Sequence, residues 1–264
     1  MDDHHNAGCA PVWRSTAGDP KAIARDMTRD HSLGRSQNRL LAALPLEQFE
    51  RLRPGLEPVR LVKGRVIHQL GRPTERVYFP VTGMVCLLAA VPDANPIEAT
   101  IIGREGMTEA ITALAGVTAG TMLAVVQISG TAYRMSLPSL QRHLQDCHSL
   151  RPLIGLYAQF MLARVAQTIA CDRHHNFVQR TARWLLAADD NAQTPEFALA
   201  HEFLARMLGT RRATITEAAG VLRHDGLIRY RYGRVAVEDR AGLEKVACVC
   251  YDIARREIED VFKV

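Results

Sequence analysis

A chain of 264 residues with 47% hydrophobic and 23% charged content has the balance of a folded globular protein. Its length is enough for two domains of about 100–200 residues each. A net charge of +5 and a pI near 9.0 suit a polyanionic partner. No apolar run approaches the ~20 residues that span a bilayer. The opening MDDHHNAGCAPVW lacks the basic start and apolar core of a secretory signal. Six scattered cysteines do not make a disulfide framework, so a cytoplasmic protein without a membrane partner is expected.

Residues 1–35 are rich in Asp, His, Gly, Ser, Thr and Arg and show no apolar periodicity, the composition of a flexible leader. Asn38–Leu44 and Leu46–Leu52 read as two short helical turns broken at Pro45. From Glu57 to Ser136, short apolar runs (PVRLV, RVIHQ, VYFPV, MVCLLAAV, EATIIG, MLAVVQIS, TAYRMS) are punctuated by Gly and Pro. This predicts a barrel or sandwich of jelly-roll type, with one helical interruption at Met107–Leu114. Val85, Leu87, Ile101, Met122 and Val126 give it an apolar interior that suits a small hydrophobic ligand or none.

The period then becomes helical. Leu140–Leu144 make a short helix, and a long one runs from Leu150 to Cys171–His175. Leu150, Ile154, Tyr157, Met161 and Val165 form a stripe wide enough for a helix seam. Packing on the chain's own roll and pairing with a second copy both fit this stripe. The second is expected, because helix-turn-helix proteins usually bind two half-sites as dimers. Asn176–Ala188 is a further helix with Phe177, Ala182, Trp184, Leu185 and Leu186 available for a core. Asp189–Pro195 reads as a turn, Phe197–Leu199 as a strand and Arg240–Phe262 as one last helix. The fold class is α+β. Its expected parts are a leader (1–35), a β-roll (36–145), a connecting dimer helix (146–175) and a winged helix-turn-helix (176–264).

The winged segment is the most specific. Phe203, Leu204, Met207 and Leu208 share one helical face, and Gly209 allows a sharp turn. The next helix buries Ile215, Ala218, Ala219 and Leu222 and offers Arg211, Arg212, Thr214 and Glu217 on the other side. Gly226 closes it. A hairpin follows, Leu227–Tyr232 and Arg234–Glu238 around Gly233. Seven arginines against three acids from His201 to Arg234 favour duplex DNA as the partner. Arg229, Arg231 and Arg234 at the wing are expected on phosphates.

HEFLARMLGTRRATITEAAGVLRHDGLIRYRYGRVAVEDRAGLE, preceded in order by NRLLAALP, KGRVI and Gly83, resembles the Crp/Fnr superfamily of transcription regulators over about residues 36–250. The resemblance implies a homodimer on a palindromic site that takes its signal through the β-roll, with RNA polymerase as a further partner. In cyclic-nucleotide-binding members a Gly-Glu pair and an Arg-Ser/Thr motif line the pocket. Here Thr108-Glu109 and Gly120-Thr121 stand at those positions, so Glu109 and Thr121 mark the effector pocket, but the phosphate-clamping cation is missing. Tight binding of cyclic AMP or cyclic GMP is therefore not expected. Where members carry R-E-x-x-x-R on the reading helix, this chain has Arg212, Ala213 and Glu217. Arg212 can read guanine, Ala213 can meet a thymine methyl, and Glu217 can accept from cytosine. Arg211 is expected on a phosphate, and Thr214 and Thr216 on either base or backbone.

Other chemistry finds less support. No G-x-S-x-G, H-E-x-x-H or G-x-x-x-x-G-K-[ST] is present, and a Cys171–His174 pair has no third orienting group, so no enzyme is expected. Cys9 alone in the leader cannot supply Cys₄ ligation of an iron–sulfur centre. On one helix Cys248 and Cys250 would point about 200° apart. Cys171 with His174 and His175 offers fewer than the four ligands of a structural zinc site, so no metal or cofactor is expected. Cys86 and Cys171 leave thiol sensing open, and His68 and His143 read as structural. The alternative function is a ligand-binding β-roll whose winged helix is a protein-interaction or dimer surface.

Overall fold

The computed structural model describes residues 37–90, 95–120 and 122–263. The leader expected over 1–35, with Cys9, lies outside the described residues, as does Thr121. Asn38 caps α1 (Arg39–Ala43) by accepting from the Leu41 N–H. Its amide also donates to the Pro80 and Gly106 carbonyls, both at 2.8 Å, which fastens the first helix to the sheet. Pro45 ends that turn and α2 (Leu46–Leu52) follows, as the sequence indicates.

The roll is one antiparallel sheet of β1 (Glu57–Leu61), β2 (Val66–His68), β3 (Arg76–Ala89), β4 (Ile97–Ile102) and β5 (Leu123–Ser136). Its order is β1-β5-β3-β4, with β2 also on β5. The sequence splits VYFPV from MVCLLAAV and MLAVVQIS from TAYRMS, yet each pair is a single strand of 14 residues. Glycine bends these strands rather than ending them. Where β3 and β5 cross, a Cβ on Gly83 would lie 2.5 Å from the Ile128 carbonyl oxygen, and one on Gly130 would collide with the Thr82 carbonyl. The pairing slips by bulges between Pro80 and Val85, and Gly83 takes φ +80°.

The helical interruption is α3 (Ala110–Ala115), and α4 (Leu137–Asp146) starts earlier than expected because Ser136 caps it ahead of Pro138. The long helix is α5 (Leu150–His174). Here the expected seam is corrected. Leu150, Ile154, Tyr157 and Met161 are buried in the core that fills the roll, and Val165 is half-buried, so the stripe packs on its own chain. The neighbouring face, about a quarter turn around the helix, is the free one: Leu162 is 67% and Ile169 64% exposed, and Gly155 faces open space.

A capping box of Asn176 and Gln179 opens α6 (Phe177–Ala192). This helix continues through the expected acidic turn, because Arg240 holds Asp189 and Asp190 at 2.9 and 2.7 Å and Asn191 donates to the Ala187 carbonyl. A small sheet of order β6-β8-β7 then combines β6 (Phe197–Ala198), β7 (Ile228–Arg231) and β8 (Arg234–Val237) with α7 (His201–Met207) and α8 (Arg212–His224). The single last helix is also corrected. It is two, α9 (Arg240–Val246) and α10 (Cys250–Val261), with Ala247 extended between them. Cys248 lies in the break and Cys250 begins α10, so helical geometry does not separate the two thiols.

Gly83→Ala should cost about 2–4 kcal/mol of unfolding free energy through backbone collision and positive φ, read as a lower urea midpoint with an unchanged slope. A loss below about 0.5 kcal/mol would contradict the crossing geometry.

Candidate nucleic-acid interface

Leu204, Ala205, Met207 and Leu208 bury one face of α7, while Phe203 is half-buried. Gly209 turns the chain at φ +62°, and the Thr210 N–H closes onto the Ala205 carbonyl at 2.8 Å. In α8, Ile215, Ala218, Ala219 and Leu222 are buried, as the sequence pattern requires. Arg211, Arg212 and Ala213 are exposed at its N-terminal end, Glu217 is exposed one turn on, and Thr214 is half-buried. No side chain caps this end, so its first N–H groups face outward where a phosphate can meet them. Thr216 is not free in the same way. Its hydroxyl donates to the Arg212 carbonyl at 3.0 Å and lies 3.0 Å from His201 Nδ1. The His201 ring packs 4.4 Å from Tyr230, which ties α8, α7 and the wing together. Burial and the nearby Arg212 charge lower the His201 pKa.

The wing turns at Tyr232-Gly233 with φ +49° and +71°, the pair of positive values that a two-residue hairpin of type I′ needs. Arg231 has no ion pair among the described residues. Arg229 bonds Glu238 at 2.6 Å, and Arg234 bonds Glu196 at 2.5 Å. Sequence reasoning treats the three wing arginines alike. It misses Glu196, which only the three-stranded sheet brings beside them.

In the roll, Glu109 stands at φ +59° ahead of α3, and its carboxylate accepts from the Thr112 hydroxyl. A Cβ on Gly120 would lie 2.8 Å from Glu109 Oε1, so Glu109 and Gly120 converge. Burial raises the Glu109 pKa, opposed by the Thr112 hydrogen bond. Val85 and Val126 lie in the roll's core, with Leu87 packed against it, but Ile101 faces the opposite core and Met122 is half-buried.

That opposite core is what positions α7 and α8. Met84, Cys86, Leu88, Ile101, Val125 and Ile128 pack with Trp184, Leu185, Leu204, Ile215 and Leu222. Within it, buried Glu98 accepts from Trp184 Nε1 at 2.9 Å and from the Cys86 thiol at 3.3 Å. Burial pushes the Glu98 carboxyl above its usual range, with Trp184 and Arg183 pulling the other way. Arg180, also buried, donates to the Leu208 carbonyl at 2.8 Å and pairs with Asp172 at 2.6 Å, joining the helix-turn-helix to the end of α5. A groove of about 430 Å³, lined by Asn95, Ile97, Glu202, Gly209, Arg211 and Arg212 among others, separates the β4 entry from the reading helix.

Comparison with known proteins agrees with this geometry. Residues 179–246 match the family model of the Crp-like helix-turn-helix domain. The global nitrogen regulator of Synechococcus elongatus is 25% identical over 214 residues, covering 76% of this chain and 89% of that protein. A Crp/Fnr-family transcriptional regulator from Thermus thermophilus is 25% identical with a TM-score of 0.52, covering 72% of this chain and 98% of that one. FixK2 from Bradyrhizobium japonicum has the same fold at 17% identity, with a TM-score of 0.61 and coverage of 73% and 98%. The chain is thus a DNA-binding transcription regulator. Its helix-turn-helix belongs to the Crp-like family, carried on a fold of Crp/Fnr type.

The raised Glu98 pKa has a signed consequence. As pH climbs through the ordinary carboxylate range, an unfolded chain releases this proton while the native state retains it, so stability falls until the native carboxyl also ionises. Glu98→Gln keeps an acceptor for Trp184 and removes the buried charge. The stability difference between wild type and this variant should therefore shift in favour of the variant from pH 5 to pH 8. Urea titrations giving the same difference at both pH values would sink the claim.

Proposed function

We propose that two copies of this chain bind a palindromic duplex site, each laying α8 in the major groove. The observation that carries this reading is the uncapped, exposed end of α8 bearing Arg211, Arg212 and Ala213. Arg212, Ala213 and Glu217 read bases, and Thr214 and Thr216 lie within reach of the groove. Arg211, the N–H groups of α8 and Arg231 hold phosphates. Arg229 and Arg234 contribute less, since binding DNA must compete with Glu238 and Glu196. The protein acts by binding, without catalysis, in the cytoplasm, and RNA polymerase stands as a further partner. The roll (36–145), connecting helix (146–175) and winged part (176–264) are its working divisions. The effector is not a cyclic nucleotide: Glu109 and Gly120 come together as a pocket would require, but no guanidinium stands at the clamp position.

The dimer seam is the outer face of α5. Although no uninterrupted apolar run in the sequence reaches such a length, this 25-residue helix is long and apolar enough by composition to cross a membrane, yet Leu150, Ile154, Tyr157 and Met161 are spent on the core beneath it. The apolar side left over, Gly155, Leu162 and Ile169, fits a second copy of the same helix.

Duplexes selected from random DNA, followed by salt-titrated gel shifts, test the interface. Arg212→Ala should weaken the selected site about 10–100-fold and relax one base position. Arg231→Ala should weaken all sequences alike and reduce the salt slope by about one phosphate, with Arg229→Ala smaller in effect. An absence of salt-dependent duplex binding would instead favour the protein-interaction reading.

For the seam, Leu162→Glu with Ile169→Glu should convert a dimer to a monomer in light scattering and weaken the palindrome at least about tenfold. A dimer undisturbed by this pair, but broken by changes elsewhere, would place the seam on another face.

A further inference from the structure

The end of α5 and the break between α9 and α10 bring together Cys171, His175, Cys248 and Cys250, whose ligand atoms all lie within 4.8 Å of one another. We propose that these four residues hold one tetrahedral zinc ion, a Cys₃His site independent of the DNA-facing surface.

The geometry is that of a mononuclear centre. With Zn–S near 2.3 Å and Zn–N near 2.0 Å, tetrahedral edges come to about 3.8 Å between sulfurs and about 3.5 Å between sulfur and nitrogen. The Cys171 and Cys248 sulfurs are 3.6 Å apart, and Cys250 Sγ is 3.6 Å from His175 Nδ1. A disulfide between Cys171 and Cys248 would need about 2.05 Å. An iron–sulfur cluster, ligated at its periphery, would spread its ligands well beyond the spacing seen here.

Each ligand is placed by its backbone. Cys171 and His175 stand four residues apart at the close of α5, where the His175 N–H bonds the Cys171 carbonyl at 3.1 Å. Extended Ala247 stops α9 so that Cys248 and Cys250 turn to the same point. The three cysteines are buried, and His175 is half-buried at the surface end, where an ion can enter.

The surroundings match the charge. Zinc with three thiolates and one neutral imidazole carries a net charge of −1. Arg183, 6% exposed with its Nε unpaired, presents a buried positive charge to all three cysteines. Gln167 Nε2 donates to Cys250 Sγ at 3.0 Å, the outer hydrogen bond that a zinc thiolate commonly receives.

The test uses the full chain, produced with zinc in the medium and purified under reducing conditions without chelator. Elemental analysis should give one zinc per chain, and X-ray absorption should give three sulfurs and one nitrogen around it. Replacement by cobalt(II) should produce thiolate charge-transfer and tetrahedral visible bands that zinc abolishes. Cys248→Ser and His175→Ala should lose these signals, whereas Cys147→Ser should retain them. Should Cys248→Ser fail to fold, the absorption spectrum of the wild-type protein decides alone. Zinc lost on desalting, a light-atom coordination sphere, or a Cys171–Cys248 disulfide in the reduced preparation would each overturn the assignment.

Discussion

Burial of β3 and β5 on both faces is the constraint on which the rest of the architecture depends. Beyond the Gly83 and Gly130 crossing, Val85 and Val126 fill the roll, while Met84, Cys86, Val125 and Ile128 join the core around Trp184. A roll on its own would show this second face to water. Here α6 covers it, and the Glu98–Trp184 hydrogen bond fixes the register at 2.9 Å. An orphaned carboxylate in that position would be costly, so the indole N–H, the Cys86 thiol and the charges of Arg183 and Arg164 are needed together. Roll and winged part therefore share one apolar core and cannot separate without exposing it.

Such sharing determines how the reading helix is held. One route to it runs through the roll: Ile97 of β4 lies at van der Waals distance from the position a Cβ on Gly209 would take. The other runs through the long helix, where Asp172 pairs with Arg180 and Arg180 donates to the Leu208 carbonyl. Both reach the same turn, the segment whose geometry sets the direction of α8. The roll and α8 are thus mechanically connected through a few named side chains.

The helix-turn-helix was legible because local chemistry decides it: Gly209, the Ile215, Ala218, Ala219 and Leu222 face, and the Tyr232-Gly233 turn act through neighbours in sequence. The roll was legible in class but not in strand count, since Gly83 and Gly130 look like turn residues until their partner strand is known. The α5 stripe is legible as a stripe, but it packs on its own chain rather than on a second copy. Periodicity shows which residues share a face and says nothing of what covers it. Leu162 and Ile169, the face left outside, belong to the same helical pattern one step around. Likewise, nothing in the run NFVQRTARWLLAADDNA indicates that Asp189 and Asp190 would be held helical by Arg240, some fifty residues on.

The cysteines show the same limit from the other side. Taken two at a time along the sequence, Cys171 with its histidines and Cys248 with Cys250 each fall short of a site. The second pair is even set against itself by the assumption of a continuous helix. A break of a few residues between α9 and α10 removes that objection and gathers ligands from positions 77 and 75 residues apart in sequence. The gathering point is the end of α5, one residue from Asp172 and so two contacts from the Leu208 carbonyl at the helix-turn-helix. The cysteine–histidine cluster thus closes the same end of α5 that the Asp172–Arg180 pair ties to the turn before α8.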